Sequence, residues 1–421
     1  MGLPMTTRPP TLPAALWVIP AVYFLLVAGE FVVLTTLALD LTAGGASALS
    51  VGVMGSALWL GIFASSTGAH ALVTRHGHAR VLVGATLASL LAAGSLPLHG
   101  AYGGWLIGVV LLGLSSGLVW VAGESWLAEA APRERRGFFI GLFETAVGLG
   151  MVAGPALVPL ARHWGLPPLW LGVLLIAAAL LFSVRMLREP GPTAHEMPSL
   201  HDMPDMPDMP DMRDAPRAPR GATSGSPPPA WRQLALRLAS VAVLGGLMES
   251  GISSMLPSIS MRVGFDIATA AWLGAVIGAG SALLQSPFGA LADRFGLRRT
   301  MALAWALILL ATTALLLGAE HPQRVLWGAG FVLGGVGGAV YTLIVIELGH
   351  RLAGGSLVKA MGLLVSAYTG GTVFGPVLGG WLFDAAGLQG LAVALLVCGL
   401  LGAALAWRAL RPAAGYPMLS T

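Results

Sequence analysis

Long apolar stretches separated by short polar turns run through almost the whole chain. Uninterrupted apolar runs of 18 or more residues predict membrane-crossing helices at roughly 15–39, 48–72, 79–97, 104–130, 137–160, 168–187, 238–260, 268–291, 299–318, 325–349, 356–382 and 388–409. One long polar stretch, roughly 189–235, divides them six and six. Membrane strands would give short segments of alternating polarity, so a β-barrel is excluded. The pattern predicts an all-α polytopic membrane protein of twelve transmembrane helices. Its parts are an N-terminal six-helix half (1–188), a linker (189–235) and a C-terminal six-helix half (236–421).

Composition agrees. The 421 residues are 56% hydrophobic and 10% charged, where a soluble chain carries about 25% charge. The 58 glycines suit closely packed membrane helices. The net charge of +4 and pI near 9.7 would point to nucleic acid in a soluble protein. Here their placement explains them. If both termini face the cytoplasm, 20 of the 23 Lys and Arg residues fall on that side, and only Arg162, Arg262 and Arg324 fall outside. That bias supports both span count and orientation, and it predicts an inner-membrane protein with no nucleic-acid partner. Cys398 is the only cysteine, so no internal disulfide forms. The first apolar run, from about Ala14, is long enough to be a span rather than a cleaved leader.

The two halves repeat each other. "HALVTRHGHAR" (70–80) follows span 2 and "GALADRFGLRR" (289–299) follows span 8, with Gly77 and Gly296 219 positions apart. Glu30 of span 1 and Glu249 of span 7 are also 219 apart. "GMVAGPALVP" (150–159) and "GTVFGPVLGG" (371–380) match in spans 5 and 11 at an offset of 221. Tandem six-helix repeats are a transporter plan, with the substrate bound between them near the midplane.

At these residues the chain resembles the major facilitator superfamily. "GALADRFGLRR" matches its loop signature G-x-L-A-D-R-x-G-x-R-R, and "GTVFGPVLGG" matches G-x-x-x-G-P-x-x-G-G. Span 5 has Val158 and Pro159 where that second pattern has glycines, so the complete form stands in span 11. Within the superfamily the chain is similar to the YcaD-like branch, through "GESWLAEAAPRERRG" (123–137), "RHGHAR" (75–80), "QSPFGALADRFG" (285–296) and "GTVFGPVLGG". The resemblance implies the major facilitator fold, alternating access, and a central cavity lined by spans 1, 4, 7 and 10. Those spans carry Glu30, Glu124, Glu249 and Glu347, and span 5 adds Glu144.

The residue types carry the chemistry. Asp293 ends span 8, where it can accept hydrogen bonds from a helix N-terminus or an arginine and latch that side shut in one state. Gly289 permits close helix contact and Gly296 a tight turn. Arg294, Arg298 and Arg299, like Arg75 and Arg80 around Gly77, anchor their loops at the phosphate surface. The first half has Thr74 and His70 where the second has Asp293 and Gly289. Its latch is therefore expected to be weaker, or to use Arg133, Arg135 or Arg136 with Glu134. His70, His76 and His78 read as interfacial histidines rather than a metal site. Pro155 and Pro376, with Gly154 and Gly375 before them, bend their helices or pack them tightly.

Glu30 and Glu249 lie about 15 Å and about 18 Å from their helix ends at 1.5 Å per residue. No Lys or Arg lies at that depth to pair with them. A carboxyl held from water without a cation favours its neutral form, the property of a proton-coupling group. A cationic solute would also supply the missing partner. Glu124 either gates with an arginine of "RERR" or is structural; Glu144 can face Glu124; Glu347, one turn from Arg351, reads as an ion pair. Tyr23, Trp59, Trp120, Trp126, Gln285, Tyr341 and Tyr368 are further cavity candidates.

"HDMPDMPDMPDMRD" (201–214) is too polar and proline-rich to pack. It reads as a spacer. Its thioethers (Met203, Met206, Met209, Met212), with His195 and His201, suit Cu(I), but the alternating Asp does not. The sequence therefore predicts a proton-coupled secondary transporter exporting a small organic solute. It is expected to be monomeric, in the bilayer, without cofactor, metal or enzymatic chemistry. A copper or other metal-ion transporter, favoured by Met248 and Met255 beside Glu249, and a non-transporting sensor are the rivals.

Overall fold

The computed structural model describes residues 14–132, 135–188, 230–352 and 354–410; the Met-Pro-Asp repeat and most of the expected linker lie outside them. Helix is the form in which an apolar chain satisfies its own backbone in lipid. The helices are α1 (Ala15–Ala43), α2 (Ala48–His76), α3 (His78–Ser95), α4 (Tyr102–Ala130), α5 (Arg136–His163) and α6 (Pro168–Val184). After the linker come α7 (Ala230–Arg262), α8 (Ile267–Phe295), α9 (Leu297–Leu317), α10 (Pro322–Arg351) and the long segment Gly354–Ala409. That segment is broken at Ala386 (φ −144°, ψ 17°) and Gly387 (φ 62°, ψ −159°). Its arms are α11 (354–385) and α12 (388–409), so the described residues form the expected twelve spans.

One boundary is corrected. Residues 230–235, assigned to the linker, are already helical in α7. The polar Arg232, Gln233 and Arg237 hid a helical period, in which Ala235 and Leu238 are buried while Arg232 and Leu236 are exposed. Amphipathic helix therefore extends beyond the apolar run.

Among the described residues every glycine with positive φ has a counterpart in the other half. Gly45 (78°) pairs with Gly264 (98°), Gly77 (81°) with Gly296 (86°), and Gly165 (71°) with Gly387 (62°). Gly45 and Gly264 close their helices identically. Gly45 N–H donates to Thr42 O and Ala46 N–H to Leu41 O; Gly264 N–H donates to Met261 O and Phe265 N–H to Ser260 O. Each is a Schellman end, which requires the left-handed residue. The next helix begins differently on the two sides. Asp266 caps α8, accepting from Ala268 N (3.1 Å) and Thr269 N (3.3 Å). The Thr269 hydroxyl and then these backbone donors hold the Asp266 carboxyl below its ordinary range.

Within the first set α1 packs on α5 and α6, and α2 on α4; within the second α7 packs on α11 and α8 on α10. The sets meet through α2 against α11, α5 against α8, and α1 and α2 against α7. Small residues allow these approaches: a Cβ on Gly278 of α8 would lie 2.8 Å from Met151 O of α5.

Candidate functional site

Two ends of the bundle can be told apart. The α2–α3, α4–α5, α8–α9 and α10–α11 turns, with the ends of α6 and α12 and the start of α7, carry most of the described arginines and define a basic face; the α1–α2, α3–α4, α5–α6, α7–α8, α9–α10 and α11–α12 turns define the far face.

Between the faces the sets bring carboxylates together with aromatic rings. Glu30 of α1 is 4% exposed, and its Oε1 has no hydrogen-bond partner among the described residues. Ser116 of α4 is its polar neighbour. Tyr23, two turns earlier on α1, donates to Val119 O (2.5 Å) and Trp120 O (2.9 Å), and lies in the field of both Glu124 and Glu30. Its ring meets Phe143 edge-on at 4.5 Å and Trp120 at 5.7 Å. Gly123 makes this fit possible, since a Cβ there would sit 2.5 Å from the tyrosine ring. Glu124 accepts from Trp120 Nε1 at 3.1 Å. In the second set the Tyr368 hydroxyl donates to Glu249 Oε2, and the Tyr368 ring lies 4.6 Å from that of Tyr341. Glu124 and Glu144 both act electrostatically on the Tyr341 hydroxyl across the boundary between the sets. Both are exposed, Glu124 six residues before the end of α4 and Glu144 eight after the start of α5. Tyr341, its ring against that of Tyr368, is thus where the carboxylates of the first set come near those of the second.

The far face is closed by hydrogen bonds between the sets. Both oxygens of Asp384, at the end of α11, accept from α2: Ala48 N to Oδ1 and Leu49 N to Oδ2, each 2.8 Å. The Ser47 hydroxyl takes Ser50 N at 3.1 Å. Three of the four amides left free at a helix start are thus satisfied, two by the opposite set. Arg262 Nη2 donates to Ala46 O (2.5 Å), and the Thr42 and Ser258 hydroxyls share a bond of 2.7 Å. Beside these, the Asp40–Arg162 ion pair (2.5 Å) joins α1 to α5.

At the basic face Asp293 is exposed and makes neither hydrogen bond nor ion pair among the described residues. Its expected latch is unmade in this conformation. The expectation of close packing at Gly289 is corrected: a Cβ there would meet nothing within 4 Å, so no neighbouring helix presses on it. Gly77 and Gly296 do make the expected turns. Arg75, Arg80 and Arg299 are exposed, Arg294 lies over Phe295 at 5.3 Å, and Arg298 covers Trp407 at 4.2 Å.

The Gly-Pro pairs wedge each set against itself and its neighbour. A Cβ on Gly154 would lie 2.7 Å from Ala28 O of α1, while Pro155 faces Gly274 of α8. In the same way Gly375 abuts Leu247 and Ser250 of α7, while Pro376 abuts Gly52 of α2.

The other expected residues scatter. Glu347 pairs with Arg351 at 2.5 Å. Gln285 bonds Ser281 at 2.7 Å. Trp59 borders a small space with Phe31, Thr35 and Ser254 that leaves about 20 Å³ for water. Trp126 is buried 6.0 Å from the His78 ring. His78 approaches Glu129 at 3.7 Å, His70 and His76 are exposed, and among the described residues no three His, Cys, Asp or Glu gather as a metal site. Met248 and Met255 are packed in the core. Glu124 has Trp120 where an arginine was offered; Arg133 and Glu134 lie outside the described residues. Asp384, Thr42 and Ser258 were not anticipated. The one available signal was an isolated carboxylate at a helix end on the charge-poor face.

The Major Facilitator Superfamily profile matches residues 21–266 and 238–417. An MFS-type transporter of Bacillus subtilis (strain 168), YfkF, is 23% identical over 347 residues, 80% of either chain. One of Yersinia pestis (strain Pestoides F) is 23% identical over 334 residues, 78% of either chain. Among solved structures, a D-xylose–proton symporter superposes with a TM-score of 0.71 at 14% identity, covering 94% of this chain and 97% of that one. The peptide transporter POT in complex with sulfate gives 0.73 at 14%, covering 95% of each. The nucleoside transporter NupG gives 0.69 at 12%, covering 94% and 99%. At these identities the structural likeness is one of fold.

Proposed function

The chain belongs to the Major Facilitator Superfamily, and from that premise we propose that it exports a small organic solute in exchange for protons by alternating access. It is a multi-pass membrane protein and a secondary transporter, not an enzyme. Within the superfamily we assign it to the YcaD-like branch, on "GESWLAEAAPRERRG" and the paired loop motifs. The arginine bias supports an inner-membrane protein with the basic face and both termini cytoplasmic. The described conformation is then inward-open: latched outside by Asp384, open inside beside an unpaired Asp293. The two six-helix sets are the moving bodies, a monomer suffices, and the 189–229 stretch is their tether.

One observation carries the coupling. Glu30 is buried mid-helix with a carboxyl oxygen lacking any hydrogen-bond partner among the described residues. Such a group is satisfied by a proton, and releases it when the cavity wets or a ligand arrives. Glu249 stands 219 positions later at the matching place, tied to Tyr368, and serves as the second carrier. A thermal-shift screen of the purified protein identifies a solute; proteoliposomes then test coupling. Accumulation should follow an imposed pH gradient and collapse with a protonophore. Accumulation indifferent to the gradient overturns proton coupling.

A further inference from the structure

Beside these carboxylates and rings the described residues offer hydroxyls but few amides and few cations. Among the described residues, each Lys and Arg lies within about two turns of a helix end, so none reaches the level of Glu30 or Glu249. The chain has no asparagine, and of its four glutamines only Gln285 is mid-helix, its amide already bonded to Ser281 at 2.7 Å. An organic anion would find no cation here. A polyhydroxylated or zwitterionic solute would find few amide or guanidinium partners for its oxygens.

The carboxylates and rings are paired by design in both sets. Trp120 donates to Glu124 within a cluster of rings with Tyr23 and Phe143. Tyr368 donates to Glu249 beside Tyr341. In each case a ring fixes a carboxylate and leaves a π face next to it. A third carboxyl, that of Glu30, is 4% exposed with Oε1 unpartnered among the described residues, on the same helix as Tyr23. Ring faces and carboxylates both attract positive charge, and the rings bury an apolar body.

We propose that the transported solute is an amphipathic organic monocation, with a protonated or quaternary nitrogen on an apolar, partly aromatic body. The ring clusters hold the body, and Glu124 and Glu249 hold the charge from opposite sets. Exchange for protons then follows from competition: the carboxylates carry either the cation or protons. The transport reading supplies only the movement, and binding is tested apart from it.

The full chain in nanodiscs is titrated with tetraphenylphosphonium, ethidium and benzyltrimethylammonium, and with tetraphenylborate as the shape-matched anion of the first. At least one cation should bind, and tetraphenylborate should not compete. Glu124→Gln and Glu249→Gln should each weaken cation binding tenfold or more at unchanged melting temperature. Should a variant not fold, the wild type suffices: cation binding should fall as the pH is lowered, because carboxylates without a cation beside them take up protons and give up the ligand. Equal binding of the anion, no binding of any cation, or pH-independent cation binding overturns the proposal, as does displacement of the cations by Cu(I). Flux is measured separately in proteoliposomes. Cation binding without flux keeps the site and removes the transporter reading. Flux of another solute without cation binding keeps the transporter and removes the cation site.

Discussion

Asp384 offers the sharpest mechanical test. Its carboxylate takes Ala48 N and Leu49 N at 2.8 Å each and lies on the positive end of the α2 dipole. Hydrogen bonds to charged groups contribute about 1.5–3 kcal/mol and an exposed charge at a helix end about 0.3–1 kcal/mol. Asp384 is exposed, and water replaces both bonds when the face opens, so the latch is worth about 1–2 kcal/mol. Removing it with Asp384→Ala should shift the inward-open to outward-open ratio about 5- to 30-fold. Asp384→Asn keeps one acceptor and should give a smaller shift. Spin labels on Ala101→Cys and Glu320→Cys, exposed residues in far-face turns of opposite sets, report the change by pulsed EPR in a Cys398→Ala background. Asp384→Ala should enlarge the long-distance population. Superimposable distributions for Asp384→Ala and wild type would refute the latch.

Three further outcomes follow. Asp293→Asn should raise cysteine accessibility at the basic face when solute is present, because its carboxylate is needed only in the opposite state; unchanged accessibility and transport would leave Asp293 a topology marker. Gly296→Ala puts a Cβ at φ 86° and should cost about 1–2 kcal/mol, read as a lower melting temperature, with Gly77→Ala similar; unchanged melting for both would mean that the turns relax freely. Replacing 195–228 by an equal-length Gly/Ser chain should leave transport intact, whereas loss of transport with normal insertion would favour copper capture by the Met-Pro-Asp repeat.

Most of the fold was legible because lipid leaves one backbone solution, and charge placement separates a basic face from the far one. The repeat was readable because Gly77 and Gly296 must be glycine at positive φ, and because Glu30 and Glu249 are conspicuous in apolar runs. The α7 start was missed because its polar residues lie on the exposed side of an amphipathic turn. The Asp384 latch was not legible: its partners stand 336 and 335 positions away, in the other half of the chain. Glu124 was offered an arginine by its neighbours in sequence; helical spacing of four residues gave it Trp120 instead.

The most direct measurement compares net accumulation with exchange in proteoliposomes bearing Glu30→Gln or Glu249→Gln. Gln keeps the shape and much of the hydrogen bonding but cannot titrate. If these carboxyls carry the coupling proton, at least one variant loses accumulation driven by a pH gradient while still exchanging solute across the membrane at no net gradient. Wild-type pH dependence of accumulation in both variants would contradict proton coupling through Glu30 and Glu249.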